Sequence, residues 1–393
     1  MTTHIPRDEQ DASIIIREAS EKGTLLSVSG QGTKAAMGRP SQTDASISSA
    51  SMSGVTLYEP AEMVIAAHSG TPVSEVVRTL AAKGQQLPFE PMDYRPLLGA
   101  RGEPTIGAVA AMNISGPRRI MAGAARDSLI GVRFVNGRGE VVKSGGRVMK
   151  NVTGLDLVKL TAGSWGTLGF LTEVTFKVLP RQERMATLVL RGLNDRQAIE
   201  ALSQALGSPF DVTGAAHIPS KDRQGATTLI RLEGFSVSVD YRLGELKRLL
   251  KRATFMDILE GRGAEALWQS VRDATMFNDN DRAIWRVSTA PTRGPDFAAH
   301  IARSLDAQWF YDWGGGLLWI ATPVNGDAGA AIMREATREF GGHATLVRAP
   351  AEIRSSIDVF EPQSDAIMAL TKSIKASFDP AGILNPGRMY AGV

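Results

Sequence analysis

Glycine sets the tightest limit on how this chain folds, because it gathers in short clusters and does not spread evenly. Forty of the 393 residues are glycine, about 10% against an ordinary share near ~7%. The clusters are Gly30-Gln31-Gly32-Thr33-Lys34, Thr105-Ile106-Gly107-Ala108, Asn113-Ile114-Ser115-Gly116-Pro117 and Gly163-Ser164-Trp165-Gly166-Thr167-Leu168-Gly169. Small side chains with reachable backbone amides let a flat ring or a phosphate come close to the main chain.

The rest of the composition mainly excludes. A hydrophobic share of 43% with 22% charged residues describes a soluble globular protein, not a disordered one. At ~150 residues per domain the length points to two or three domains. A net charge of +3 gives no footprint for nucleic acid. The chain has no cysteine, so it offers no disulfide, no thiolate zinc site and no iron–sulfur ligand. Met1–Asp11 is acidic and lacks the apolar stretch of a signal peptide. Trp313–Gly326 is too short and too rich in glycine to span a bilayer. No P-loop, G-x-S-x-G or H-E-x-x-H motif occurs, and His4, His68, His217, His300 and His343 are scattered, so no metal site is expected.

Periodicity supplies the elements. Ala12–Glu21 is predicted helical, and Thr24–Ser29 is a strand running into the Gly30 turn. Val55–Glu59 and Met63–His68 are strand-like, and Pro72–Lys83 has Val73, Val76, Val77 and Leu80 on one helical face. Leu129–Val135 and Glu140–Lys143 read as a hairpin over Asn136-Gly137-Arg138-Gly139. Asp156–Ala162 is predicted helical, and Leu168–Leu179 a strand. Beyond these, a β-α-β-β-α-β order occurs twice, over 186–259 and again over 284–348, as in two ferredoxin-like halves side by side. A helix over Ser364–Ser377 leads into Phe378–Arg388, whose two prolines and two glycines forbid a regular element.

Gly30-Gln31-Gly32-Thr33-Lys34-Ala35 satisfies a loose dinucleotide fingerprint after a strand, but Gly38, Arg39, Pro40 and Ser41 leave no room for the helix a Rossmann fold requires. What remains is a turn whose N–H groups could converge on an anion; alone, it reads equally well as an ordinary tight turn.

Together the clusters resemble the FAD-binding domain of the vanillyl-alcohol oxidase and p-cresol methylhydroxylase flavoproteins. Gly145-Gly146-Arg147-Val148-Met149-Lys150-Asn151-Val152-Thr153-Gly154-Leu155-Asp156-Leu157, Ser115-Gly116-Pro117-Arg118-Arg119 and Gly123 to Asp127 look like the FAD-binding subunit of bacterial glycolate oxidase. Asp379-Pro380 through Asn385-Pro386-Gly387 is similar to the closing segment of FAD-linked 2-hydroxyacid dehydrogenases. The likeness covers roughly 20–180 and 376–393 and fades across the middle.

The resemblance implies an α+β fold. Residues 1–182 would form a two-part FAD-binding domain, 183–350 a ferredoxin-like-repeat cap over one face of it, and 351–393 a segment returning to the FAD domain. It implies FAD held without a covalent bond, since the first turn has Gly32 and Thr33 where many relatives have a tethering histidine. Ser29, Gly30, Gln31, Gly32, Thr33 and Lys34 would hold the pyrophosphate. Thr105, Ile106, Gly107, Ala108, Asn113, Ser115 and Gly116 would flank the flavin, with Gly123, Arg126 and Asp127 beside them. Ser164, Gly166, Thr167 and Gly169 would line the other side, and Asn385 would approach the isoalloxazine.

Catalytic relatives carry a histidine–glycine-rich cap motif for a metal and the substrate carboxylate, and nothing like it lies between Arg181 and Pro362. A catalytic base therefore stays unassigned. The expectation is an FAD-binding subunit working beside a catalytic flavoprotein subunit and an iron–sulfur subunit, in the cytoplasm and brought to the inner membrane face by its partners. An autonomous FAD-linked 2-hydroxyacid dehydrogenase or oxidase, and a non-catalytic flavin-fold scaffold, are the alternatives.

Overall fold

The computed structural model describes residues 2–146, 155–220, 225–251, 255–278 and 281–393. The stretch 147–154 of the glycolate-oxidase-like segment lies outside them. The chain divides into two units, one of Met1–Ser115, Gly123–Arg181 and Pro362–Val393, the other of Gly116–Ala122 and Gln182–Glu361.

The first unit starts with the helix Glu9–Lys22. The Asp8 carboxylate caps it by accepting the Asp11 amide, and Gly23 closes it in left-handed backbone, φ 67°. Ala12, Ile16 and Ala19 recur at helical spacing and are buried against Leu26, Ala45, Ile47 and Met52. Ile383 and Leu384 from the tail complete this core. Leu26–Ser29 and Thr2–His4 flank Ala45–Ser48 in a parallel three-stranded sheet. An antiparallel sheet follows, in the order Val55–Glu59, Val64–His68, Phe170–Lys177, Leu129–Val135, Val141–Gly145. Its hairpin turns where predicted, with Asn136 Oδ1 accepting the Arg138 and Glu140 amides. On the helix Val73–Ala81, Val76 and Leu80 are buried, whereas Val77 is 49% exposed. Ile106–Met112, which carries no helical signal beyond apolar content, forms a helix ended by Asn113 in left-handed backbone.

The second unit is one antiparallel eight-stranded sheet. Its order is Phe255–Glu260, Arg184–Arg191, Thr227–Gly234, Val212–Ile218, Gln308–Asp312, Leu317–Thr322, Ala283–Ser288, His343–Arg348. The element order β-α-β-β-α-β occurs twice, with the helices Asp195–Leu206 and Ser236–Leu249 in one half and Gly294–Ser304 and Ala330–Phe340 in the other. The pairing of His217 with Tyr311 joins the halves into a continuous sheet. Gly116–Ala122 belongs with this unit although it lies within 1–182, because Arg118 forks onto buried Glu233 at 3.0 and 2.7 Å and Trp313 Nε1 donates to Gly116 O at 3.1 Å. The unit also runs on to Glu361, where the Glu361 carboxylate accepts from Arg334, Thr337 and the Ala344 amide. Among the described residues, no helix is long and apolar enough to cross a membrane.

Candidate functional site

Where the parallel strand Leu26–Ser29 ends, the first unit opens into a cleft. Its floor is the Gly30–Ala35 turn. Gly32 has φ 74°, and a Cβ there would meet nothing within 4 Å, so the glycine serves backbone conformation and leaves open space above the turn. A Cβ on Gly30 would lie 2.3 Å from Thr105 Oγ1, which brings the first and second glycine clusters together. Gln31 Oε1 accepts the Glu103 amide at 3.0 Å, and Arg388 Nη2 reaches Lys34 O at 3.2 Å and Ala35 O at 3.1 Å, so both sides of the turn are pinned.

Lys34 brings charge into this wall. It is 7% exposed, with its Nζ 3.3 Å from Thr33 Oγ1. Desolvation lowers its pKa to about 8, and the attraction of Asp93 opposes that only in part. The Asp93 carboxylate is itself gripped by Arg95, at 3.0 Å through Nε and 2.8 Å through Nη2. Ser69 Oγ and Thr105 Oγ1, both on residues lining the cleft, are buried without a hydrogen-bond partner. Buried polar groups in folded proteins normally find partners, so these two hydroxyls call for a ligand. Open space over a glycine turn, two waiting hydroxyls and a buried lysine fit the phosphates and polar chain of FAD.

Of the residues singled out in the sequence, Ser29 through Lys34, Thr105, Gly107, Ala108, Gly166, Gly169 and Asn385 line the cleft together. The others have different partners. The Ile106 amide donates to Thr71 O at 2.9 Å. Asn113 Oδ1, Ser115 Oγ and Asp127 Oδ2 accept the amides of Arg126, Ala125 and Ala124 and so cap the helix Ala125–Ser128. Gly123, at φ 80°, makes the bend before that helix. Ser164 O accepts both the amide and the hydroxyl of Thr167, closing the third glycine turn on itself. Gly116 lies in the second unit.

Asn385 lines the cleft, but its side chain is already engaged. Its Oδ1 accepts the Val28 amide at 2.8 Å and its Nδ2 donates to Trp165 O at 2.7 Å, tying the strand before the first turn to the third turn. A Cβ on Gly166, whose φ is 72°, would sit tightly at 3.0 Å from Asn385 Nδ2 and 3.1 Å from Val28 Cγ1. Sequence reasoning missed Ser69, Met112, Trp165, Phe170, Leu171 and Arg388, all of which line the cleft. Arg388 stands next to the quoted Asn385-Pro386-Gly387 run and could have been found there. Ser69 follows the strand Val64–His68 and Leu171 lies on Phe170–Lys177, and neither carries a local signal.

Comparison with known proteins agrees with this geometry. Residues 3–145 match the family described as FAD binding domain, and residues 360–389 the one described as FAD linked oxidases, C-terminal domain. The chain is 32% identical to the glycolate oxidase subunit GlcE of Escherichia coli, over 96% of this chain and 95% of that protein. It is 24% identical to the glycolate oxidase subunit GlcD of Bacillus subtilis, over 98% of this chain and 88% of that one. In fold it is similar to 4-ethylphenol oxidase from Gulosibacter chungangensis, with a TM-score of 0.73 at 15% identity over 99% of this chain and 89% of that one. It is likewise similar to an alkyldihydroxyacetonephosphate synthase, with a TM-score of 0.69 at 17% identity over 98% of this chain and 75% of that one.

Proposed function

The chain belongs to the glycolate oxidase family of FAD-dependent oxidoreductase subunits, and from that membership we propose that it is the FAD-binding subunit of a 2-hydroxyacid-oxidising complex that passes electrons to partner subunits. The observation that carries this reading is the cleft, which Lys34, Ser69 and Thr105 line beside a glycine turn that leaves space for a ligand. When bound, FAD supplies hydride acceptance. The chain's own residues bind and orient. Lys34 brings positive charge to the phosphate end, while Ser69 and Thr105 offer hydroxyl donors at the wall. Asn385 fixes the spacing between the Val28 strand and the Trp165 turn, and Gly166 and Gly169 keep that side free of side chains.

The proposed partners are a catalytic flavoprotein subunit and an iron–sulfur subunit, with the complex in the cytoplasm at the inner membrane face. Three facts support them. The two relatives above are both named as oxidase subunits. The chain has no thiolate for a cluster of its own, so onward one-electron transfer through iron–sulfur would fall to another chain. And no histidine–glycine-rich motif lies between Arg181 and Pro362.

The test is a visible spectrum of the purified chain, then anaerobic glycolate. The protein should be yellow, should release its flavin on acid precipitation, and should stay oxidised until the partner subunits are added. Rapid, saturable bleaching of the chain alone would establish an autonomous dehydrogenase in place of the subunit. Colourless protein would leave only a scaffold.

A further inference from the structure

One edge of the eight-stranded sheet is shut and the other is open. At the shut edge, His343–Arg348, the Leu346 amide donates to Val359 O at 2.8 Å and the Ala344 amide to Glu361 Oε2 at 2.9 Å. At the open edge, Phe255–Glu260 has one strand neighbour among the described residues, Arg184–Arg191. Natural sheets guard an open edge with unpaired charge, a proline or a covering segment. This strand has no proline, and Phe255 is 67% and Ile258 43% exposed. Its two acids are neutralised from the neighbouring strand, Asp257 by Arg191 Nε at 3.0 Å and Glu260 by Arg184 Nη2 at 2.6 Å. Met256 and Ile258 stand opposite the buried Leu190 and Leu188, so they extend an apolar face of the sheet out to its rim.

We propose that Phe255–Glu260 pairs antiparallel with the same strand of a second copy of this chain, across a two-fold axis. Every pairing within the sheet is already antiparallel. A two-fold axis normal to a sheet joins a strand to its own copy in that same sense. Such an axis keeps each side chain on its own face, so it must pass beside a single residue position. The two registers of greatest overlap centre on Asp257 or on Ile258. Centring on Asp257 would set two carboxylates face to face. Centring on Ile258 sets Ile258 against Ile258, Met256 against Glu260 and Asp257 against Leu259, with no like charges opposite. A strand whose acids are neutralised within its own chain offers no charge by which to select a basic partner, yet it accepts its own copy without repulsion. The shut edge then stops the assembly at two chains, since a filament would need both edges.

The test is sedimentation velocity of the purified full chain over a range of concentrations. The wild type should sediment as two chains at micromolar concentration. Ile258→Lys sets two ammonium groups face to face on the axis and should weaken association about tenfold or more. Circular dichroism reports whether that variant is folded. Because the chain has no cysteine, a single introduced thiol reads the register. Ile258→Cys should give a disulfide-linked pair on mild oxidation, whereas Val237→Cys, at a position 84% exposed on the helix Ser236–Leu249, should stay a single chain. The cysteine variants carry the test should Ile258→Lys fail to fold. A wild type that stays a single chain at every concentration would overturn the proposal. So would a dimer that Ile258→Lys leaves unchanged, or cross-linking at Val237 as ready as at Ile258. A single chain that captures co-expressed partner subunits, with Ile258→Lys blocking the capture, would assign the edge to a partner subunit and overturn the pairing of copies as well.

Discussion

Lys34 is the residue whose environment most directly predicts behaviour. Its pKa falls from 10.5 to about 8 because the wall of the cleft strips water from the ammonium. In the unfolded chain the same lysine keeps its proton to about pH 10.4. Between those values the unfolded state holds more protons, so stability should rise with pH through that window, by roughly 3 kcal/mol in total. A bound diphosphate acts the opposite way and stabilises the protonated form. FAD affinity should therefore fall above about pH 8, by at most about tenfold per pH unit. Fluorescence titrations of FAD across that range check this, and Lys34→Gln should flatten the profile. A wild-type affinity that does not change with pH would show that Lys34 stands apart from the phosphates. Lys34 was legible in the sequence because it closes a glycine turn after a strand. The role of Asn385 was not, since its side chain pairs with a backbone 357 residues away, a relation that no local spacing encodes.

Among the elements, the helix Asp365–Phe378 fully buries only Lys375, while its end is held by Phe378 against Phe134 and by the Gly137 amide donating to Phe378 O. Lys375 Nζ donates to Thr167 O at 2.8 Å, Leu384 O at 2.7 Å and Asp379 Oδ2 at 2.6 Å. Asp379, fully buried, accepts the Ile383 and Leu384 amides. Lys375→Met would leave that carboxylate buried without its cation, at a cost of about 3–5 kcal/mol. Urea denaturation should show the loss, and adding Asp379→Asn should recover part of it. A shift below about 1 kcal/mol would mean that the pair does not hold the tail. The sequence read this region as a fold-back from its prolines and glycines, but the lysine that secures it looked like any exposed helical cation. Ile106–Met112 escaped for a related reason, because six small or β-branched residues and one methionine carry too little periodicity to tell a buried helix from a loop. The paired halves of the sheet were legible because each of their helices repeats apolar positions over three turns.

Across the whole molecule, neither unit is a continuous stretch of chain. The path leaves the first unit for Gly116–Ala122, returns, leaves again at Gln182 and comes back at Pro362. A fragment of residues 1–182 should therefore be neither folded nor yellow. It lacks Ile383 and Leu384 from its core, and Asn385 and Arg388 from the cleft wall. Circular dichroism and flavin content decide it, and a fragment that binds FAD like the full chain would refute the shared core. This interleaving was hidden in the sequence, because Gly116–Ala122 looks like a continuation of the glycine cluster before it and its partner Glu233 is 115 residues away. It also orders events at the ribosome. By the time Glu361 has been added, every piece of the sheet unit has been synthesised, whereas the cleft still waits for Leu384, Asn385 and Arg388. With the cleft as the proposed FAD site, cofactor capture comes after the sheet unit has been synthesised. On that reading the tail works like a checksum on the message: a chain cut short by early termination or proteolysis keeps every piece of its sheet, yet lacks Leu384, Asn385 and Arg388 and should carry no flavin.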